Sequence, residues 1–193
     1  MFKIRKVTTS FKYHLCIQLV LLSLIISPVY AERNISIIVK ENEIWINGKY
    51  LKKESTLTDF TKILGDPDRV AKRKNVIYTY DDLGILLYQR PSSNVIRGIS
   101  IVFGGQRFEF SPQASFRSRL FIGGDEVKKE YSKDAIFLNK GIQPTDYSRK
   151  YQHSSIKAYA GNIAILFNYA FAGDSQNIFV KDTVIDTIYL YRE

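Results

Sequence analysis

Cysteine is almost missing from this chain of 193 residues: Cys16 stands alone, inside an apolar stretch near the N-terminus. Tyr13, His14 and Leu15 precede it where lipoprotein processing needs a small residue, so a lipid anchor at that position is excluded. Beyond residue 31 there is no cysteine, hence no disulfide and no thiolate ligand. Histidine is nearly as scarce, with only His14 and His153. Zinc sites draw on several His or Cys side chains, so no metal site is expected. Ser154 and Ser155 follow His153, but neighbours in sequence do not make a catalytic triad, and His153 reads as a surface or strand-start residue. Neither G-x-S-x-G nor a phosphate loop occurs, and the glycines of FGGQR and FIGGDE read as turns. No catalytic residue and no cofactor is expected, and an enzyme is the least favoured class.

Acidic residues are wholly missing from the first 31 positions, which instead carry Lys3, Arg5, Lys6 and Lys12. An apolar run from Leu15 to Ile26 follows, short for a membrane span, and then SPVYA with Val29 and Ala31 at small-residue positions. This is the pattern of a secretory signal cleaved after Ala31, which points to the periplasm. The remaining chain holds 24 bases against 19 acids, a balance of +5. Such a balance favours an acidic partner or an anionic surface. It is too weak and too scattered to argue for nucleic acid. The densest basic cluster, RVAKRK at residues 69–74, reads as a solvated loop.

Two short strings echo each other: INGKYLKKE from Ile46 and IGGDEVKKE from Ile122, offset by 76 positions. At that offset Ile46, Gly48, Lys52, Lys53, Glu54 and Gly65 meet Ile122, Gly124, Lys128, Lys129, Glu130 and Gly141. Further on, IYTYDDLGILLY aligns with IKAYAGNIAILF, and VIRGISIV with VIDTIYLY. Ordered matches of this kind are the signature of an internal repeat. Each half spells β-rich runs ending in Asn-Gly or Gly-Gly, a short helix, and alternating strands. In the first half Thr56 and Asp59 form a capping pattern, Leu57, Phe60, Ile63 and Leu64 share one face, and Gly65 with Pro67 ends the helix. In the second half Ser132 is the cap and Gly141 the stop. The sequence therefore predicts an α+β protein of two tandem antiparallel-sheet-plus-helix units, residues 32–110 and 111–193, after a signal at 1–31. The register of the strand at Ile77–Tyr80 stays open: either Tyr78 and Tyr80 or Ile77 and Thr79 face outward.

A short helix ending in LGDPD, followed by a tyrosine-rich hairpin, resembles the helix-then-sheet unit of the BamE (SmpA/OmlA) group of periplasmic proteins. The tandem copy resembles the beta-lactamase inhibitor proteins, which stack two such units. The chain departs from both, lacking the lipobox cysteine of the one and the disulfides of the other, so no functional residue carries over. The resemblance implies a protein-binding surface made by sheets and loops.

The hairpin tip Tyr80, Asp81 and Asp82 and the longer second-half loop NYAFAGDSQNIF, with Tyr169, Phe171 and Asp174, are the candidate partner-binding residues. Tyrosine anchors interfaces at low entropic cost, although most aromatics build cores. For Asp81 and Asp82 a solvated hairpin turn is the leading reading and partner contact the second, and for the loop with Tyr169 and Phe171 a structural lid stands equally beside the interface. The expected function is a periplasmic protein-binding module, an inhibitor or immunity protein neutralising a toxin or enzyme. The alternative is an envelope housekeeping factor that assists outer-membrane assembly or binds anionic lipid or glycan.

Overall fold

Alternation of side chains builds the first sheet. In β1 (Ser36–Lys40) and β2 (Glu43–Ile46) the inward residues Ile37, Val39, Ile44 and Ile46 are 3% exposed or less. Asn47 and Gly48 both take positive φ, 51° and 73°, the conformation a two-residue hairpin turn requires, and β3 (Lys49–Leu51) returns beside β2. On its other side β1 pairs in parallel with β8 (Arg119–Ile122), which sets Ile37 against Leu120 and Val39 against Ile122. The short β9 (Asp125–Glu126) completes a five-stranded sheet of order β3-β2-β1-β8-β9. The computed structural model describes residues 33–104, 109–131, 133–145, 155–169 and 185–192, and Arg33–Glu193 forms a single unit.

The second sheet has eight strands, all antiparallel. Its first half is β4 (Arg69–Lys72), β5 (Val76–Tyr80), β6 (Ile85–Gln89) and β7 (Ile96–Val102). Its second is β10 (Gln143–Pro144), β11 (Ser155–Ala160), β12 (Ile163–Tyr169) and β13 (Ile185–Arg192). The order is β10-β11-β12-β13-β7-β6-β5-β4, with β13 and β7 joined at the centre.

Helix α1 (Leu57–Leu64) lies between β3 and β4 in the chain, and α2 (Lys133–Leu138) between β9 and β10. The Asp59 carboxylate accepts the Thr56 backbone N–H at 2.9 Å and the Thr56 hydroxyl at 3.1 Å, so the capping pattern forms. Phe60 and Leu64 are buried, and Gly65, at φ 77°, ends the helix. Ser132, the expected cap of α2, lies outside the described residues.

One continuous buried cluster draws on both sheets and both helices, from Ile37, Leu120 and Ile136 to Tyr80, Ile101 and Phe167. Each large side chain so buried contributes about 2 kcal/mol relative to exposure, which makes this core the main source of stability in a chain with no cysteine after Cys16.

This architecture overturns the expected α+β class with two tandem sheet-plus-helix units. Among the described residues 47% lie in strands and 10% in helices. Strands from both halves merge into shared sheets, through β1 with β8 and through β7 with β13. The physical reason is edge pairing: a separate unit would leave the β7 and β1 edges with open backbone groups, and the other half satisfies them. The basic RVAK segment is also no loop but the edge strand β4, with Arg69 half-buried at one end and Lys72 exposed at the other.

The two sheets are clasped at their turns. The Asn42 side chain in the β1–β2 turn accepts the Asn162 N–H at 2.8 Å. Gly161, at φ 61°, packs so tightly here that a Cβ would press on Asn42 and come within 2.6 Å of the Glu41 carbonyl. Gly161→Ala should therefore cost about 2 kcal/mol through combined backbone strain and overlap, lowering Tm by roughly 4–8 °C. Gly48→Ala, with φ 73° but open space around it, should lose less. Thermal unfolding followed by circular dichroism checks both, and equal losses would contradict the clasp.

Candidate protein-interaction surface

The outward positions of the five-stranded sheet are unusually apolar. Because paired residues share a face, the register aligns Tyr50, Trp45, Ile38 and Phe121 in one row across four strands, with Glu126 at its end. Tyr50 is 46% exposed, the other three apolar residues are half-buried, and none belongs to either buried cluster. The Trp45 and Tyr50 ring centroids are 5.4 Å apart, tilted by 50°. The Trp45 indole N–H donates to Glu43 Oε2 at 2.9 Å, which ties the ring to its own strand. At the far end the Arg119 guanidinium sits 4.7 Å over the Phe121 ring, while Glu126 meets Arg119 at 3.5 Å and Lys128 at 3.3 Å. An apolar, aromatic strip rimmed by charges is the composition of a protein-binding patch.

The outer side of the eight-stranded sheet is different around β4 to β7. There Ile77, Leu86 and Val102 are buried beneath Phe110 and its neighbours. The Thr79 hydroxyl donates to the Phe110 carbonyl at 3.1 Å. Register is thereby decided: Tyr78 and Tyr80 face the core between the sheets, and Ile77 with Thr79 faces the covered side.

The residues expected to touch a partner take other places. Tyr80 is 0% exposed, and burial pushes its phenol up to about 12. Tyr169 is 2% exposed and donates to the Tyr131 carbonyl at 3.4 Å. Neither ring reaches the surface, because the two-residue period that places Ile85 and Phe167 inside places these rings inside too. Asp81 is gripped by Arg69 through two hydrogen bonds of 2.7 and 2.6 Å, and it accepts the Gln113 N–H at 2.9 Å. Arg69 also donates to the carbonyls of Glu109 and Ser111, tying that segment onto the sheet. Asp82 pairs with Arg33 at 2.8 and 2.7 Å, and Arg33 donates to the Leu64 carbonyl at the end of α1. Both carboxylates of the tip hold the fold. Phe171, Asp174 and His153 lie outside the described residues.

Sequence reasoning passed over Ile38, Trp45, Tyr50 and Phe121 as ordinary strand residues. A signal was present: SIIVK and EIWI are apolar at successive positions, hence on both faces of the sheet, where a one-sided strand would alternate with polar residues.

Residues 36–137, just over half of the chain, match a family described as Domain of unknown function (DUF7738), and the chain belongs to that family. The matched span contains all five strands of the sheet that carries the aromatic row. No curated protein and no solved structure matches the chain. Among the described residues no helix is long and apolar enough to cross a membrane, and no group of three His, Cys, Asp or Glu side chains is placed to hold a metal ion.

The Arg69 guanidinium beside Asp81 holds its carboxyl below the usual value. A depressed folded-state value gives stability that is complete above the unfolded value, near pH 4, and is lost as pH falls through the folded one. Asp81→Asn should cost about 2 kcal/mol at pH 7, a figure reduced for the partial exposure of Arg69. The difference from the parent protein should shrink markedly at pH 3. Urea unfolding at both pH values checks this, and an undiminished difference at pH 3 would remove the ion pair as its cause.

Proposed function

We propose that this protein is a periplasmic binding module that inhibits a toxin or enzyme by covering it, as an immunity protein does. The observation that carries the reading is the row Tyr50–Trp45–Ile38–Phe121 on an outward sheet face. Three rigid aromatic rings and one aliphatic side chain, set on paired strands, present contact area at small entropic cost. The balance of +5 after residue 31 favours an acidic partner. Export is supported by the basic and apolar N-terminal pattern that ends at Ala31. Kinship with the BamE-like group draws support from α1, the turn Leu64–Asp68 and the strands that follow. An internal duplication, its copies sharing sheets, is supported by the mirrored strand order about β13 and β7 and by Gly48 and Gly124, both at positive φ after β2 and β8.

The test is complex formation with a periplasmic enzyme or toxin whose activity falls on binding. A one-to-one complex is expected, and Trp45→Ala should weaken it about 30-fold, the effect of a central aromatic anchor, with Tm unchanged. Inhibition indifferent to Trp45 and Phe121 would refute the assignment of this face. The second reading, an envelope factor binding anionic lipid or glycan, predicts salt-sensitive binding to anionic vesicles governed by lysines and not by Trp45.

A further inference from the structure

The aromatic row ends at an open sheet border. β3 is the outermost strand, and among the described residues no strand pairs with its far side. The two-residue turn at Asn47 and Gly48 makes Ile46 and Lys49 a hydrogen-bonded pair, and alternation makes Ile44 and Leu51 the next. The N–H and C=O of Tyr50 between them therefore point away from β2, toward the open side. Along this border runs a cleft of about 360 Å³ between β3 and α1, lined by Lys49, Tyr50, Lys52, Glu54, Asp59 and Lys62 among others. The three lysines are exposed. Against the carboxylates of Glu54 and Asp59 the three lysines leave the cleft a balance of +1, and the Asp59 carboxylate is turned to the Thr56 N–H and hydroxyl.

We propose that β3 is a strand-addition site for an extended, acidic segment of a partner protein. The incoming backbone pairs with Tyr50, its acidic side chains meet Lys49, Lys52 and Lys62, and its alternate apolar side chains extend the Tyr50–Trp45 row. This rests on the protein-binding reading of the adjoining face and adds the shape and charge of what binds. A second copy of the chain is the wrong occupant, because two β3 borders would set lysine against lysine, and edge lysines guard sheets against self-pairing.

The experiment uses the purified protein and a short synthetic peptide alternating Glu and Val. Trp45 is the only tryptophan in the chain, so its fluorescence reports events beside Tyr50 directly. A saturable change is expected, weakened about tenfold by Lys49→Glu with Lys52→Glu and weakened further by raised salt. It should vanish when the peptide is N-methylated along one edge or carries Lys in place of Glu. Absence of saturable binding, or equal binding of the N-methylated or Lys peptide, overturns the proposal. So does a concentration-dependent dimer by sedimentation that the peptide does not dissociate. Phe121→Glu, remote from β3 across the row, separates the two readings. A partner complex lost with Phe121→Glu but kept with the lysine changes refutes the edge alone. Peptide binding without any protein partner refutes the inhibitor reading and leaves the edge standing.

Discussion

Where β1 meets β8, Ile37, Val39, Leu120 and Ile122 are 0% exposed, and the ladder between those two strands joins residues from the two halves of the chain. Parallel pairing needs a long connection, and here nearly the whole first half of the fold serves as that connection. Everything between, α1 and β4 to β7, must pack back against the sheet that β1 and β8 complete. The result is a core formed only when distant segments meet, which suits a protein with no disulfide available after Cys16. Loss of that seam would leave two sheet fragments, each with an apolar inner face and an open edge.

Electrostatics fixes what the core leaves loose. Arg33, Arg69, Asp81 and Asp82 tie the segment before β1, the end of α1 and the 109–114 segment to one hairpin tip. Bidentate geometry makes these pairs stronger than ordinary surface contacts. The Asp81 carboxylate, paired with Arg69, also accepts the Gln113 backbone N–H, so its charge is consumed inside the structure and is not displayed to a partner. Adjacent carboxylates on a turn thus act as fasteners, one directed to each side of the tip.

With its inner face committed to the core, the five-stranded sheet offers its outer face and its two borders, β3 and β9, for binding. The inward and outward rows of β1 and β2 are both apolar, but for different reasons: one builds the cluster with Phe60 and Tyr80, the other lies on the surface beside Glu43, Arg119 and Lys128. A rigid sheet presents such side chains at fixed spacing, which limits the ordering cost of association.

The local elements were legible in the residues. Thr56 and Asp59 announced the start of α1, Gly65 its end, and Asn47-Gly48 and Gly84 the hairpin turns, because each depends on a conformation or hydrogen bond within a few residues. The short edge strand β4 was not, since its cluster of basic residues read equally well as a solvated loop. Nor was the side of the sheet on which a tyrosine would fall: Tyr80 and Tyr169 went inside while Tyr50 stayed out, and a one-residue change of register exchanges the two outcomes. The sequence by itself determined turns, caps and strand alternation, all short-range. Only the tertiary structure decided that the halves share their sheets and that Trp45 faces outward, because pairing between distant strands selects among registers that local residues leave equal in energy.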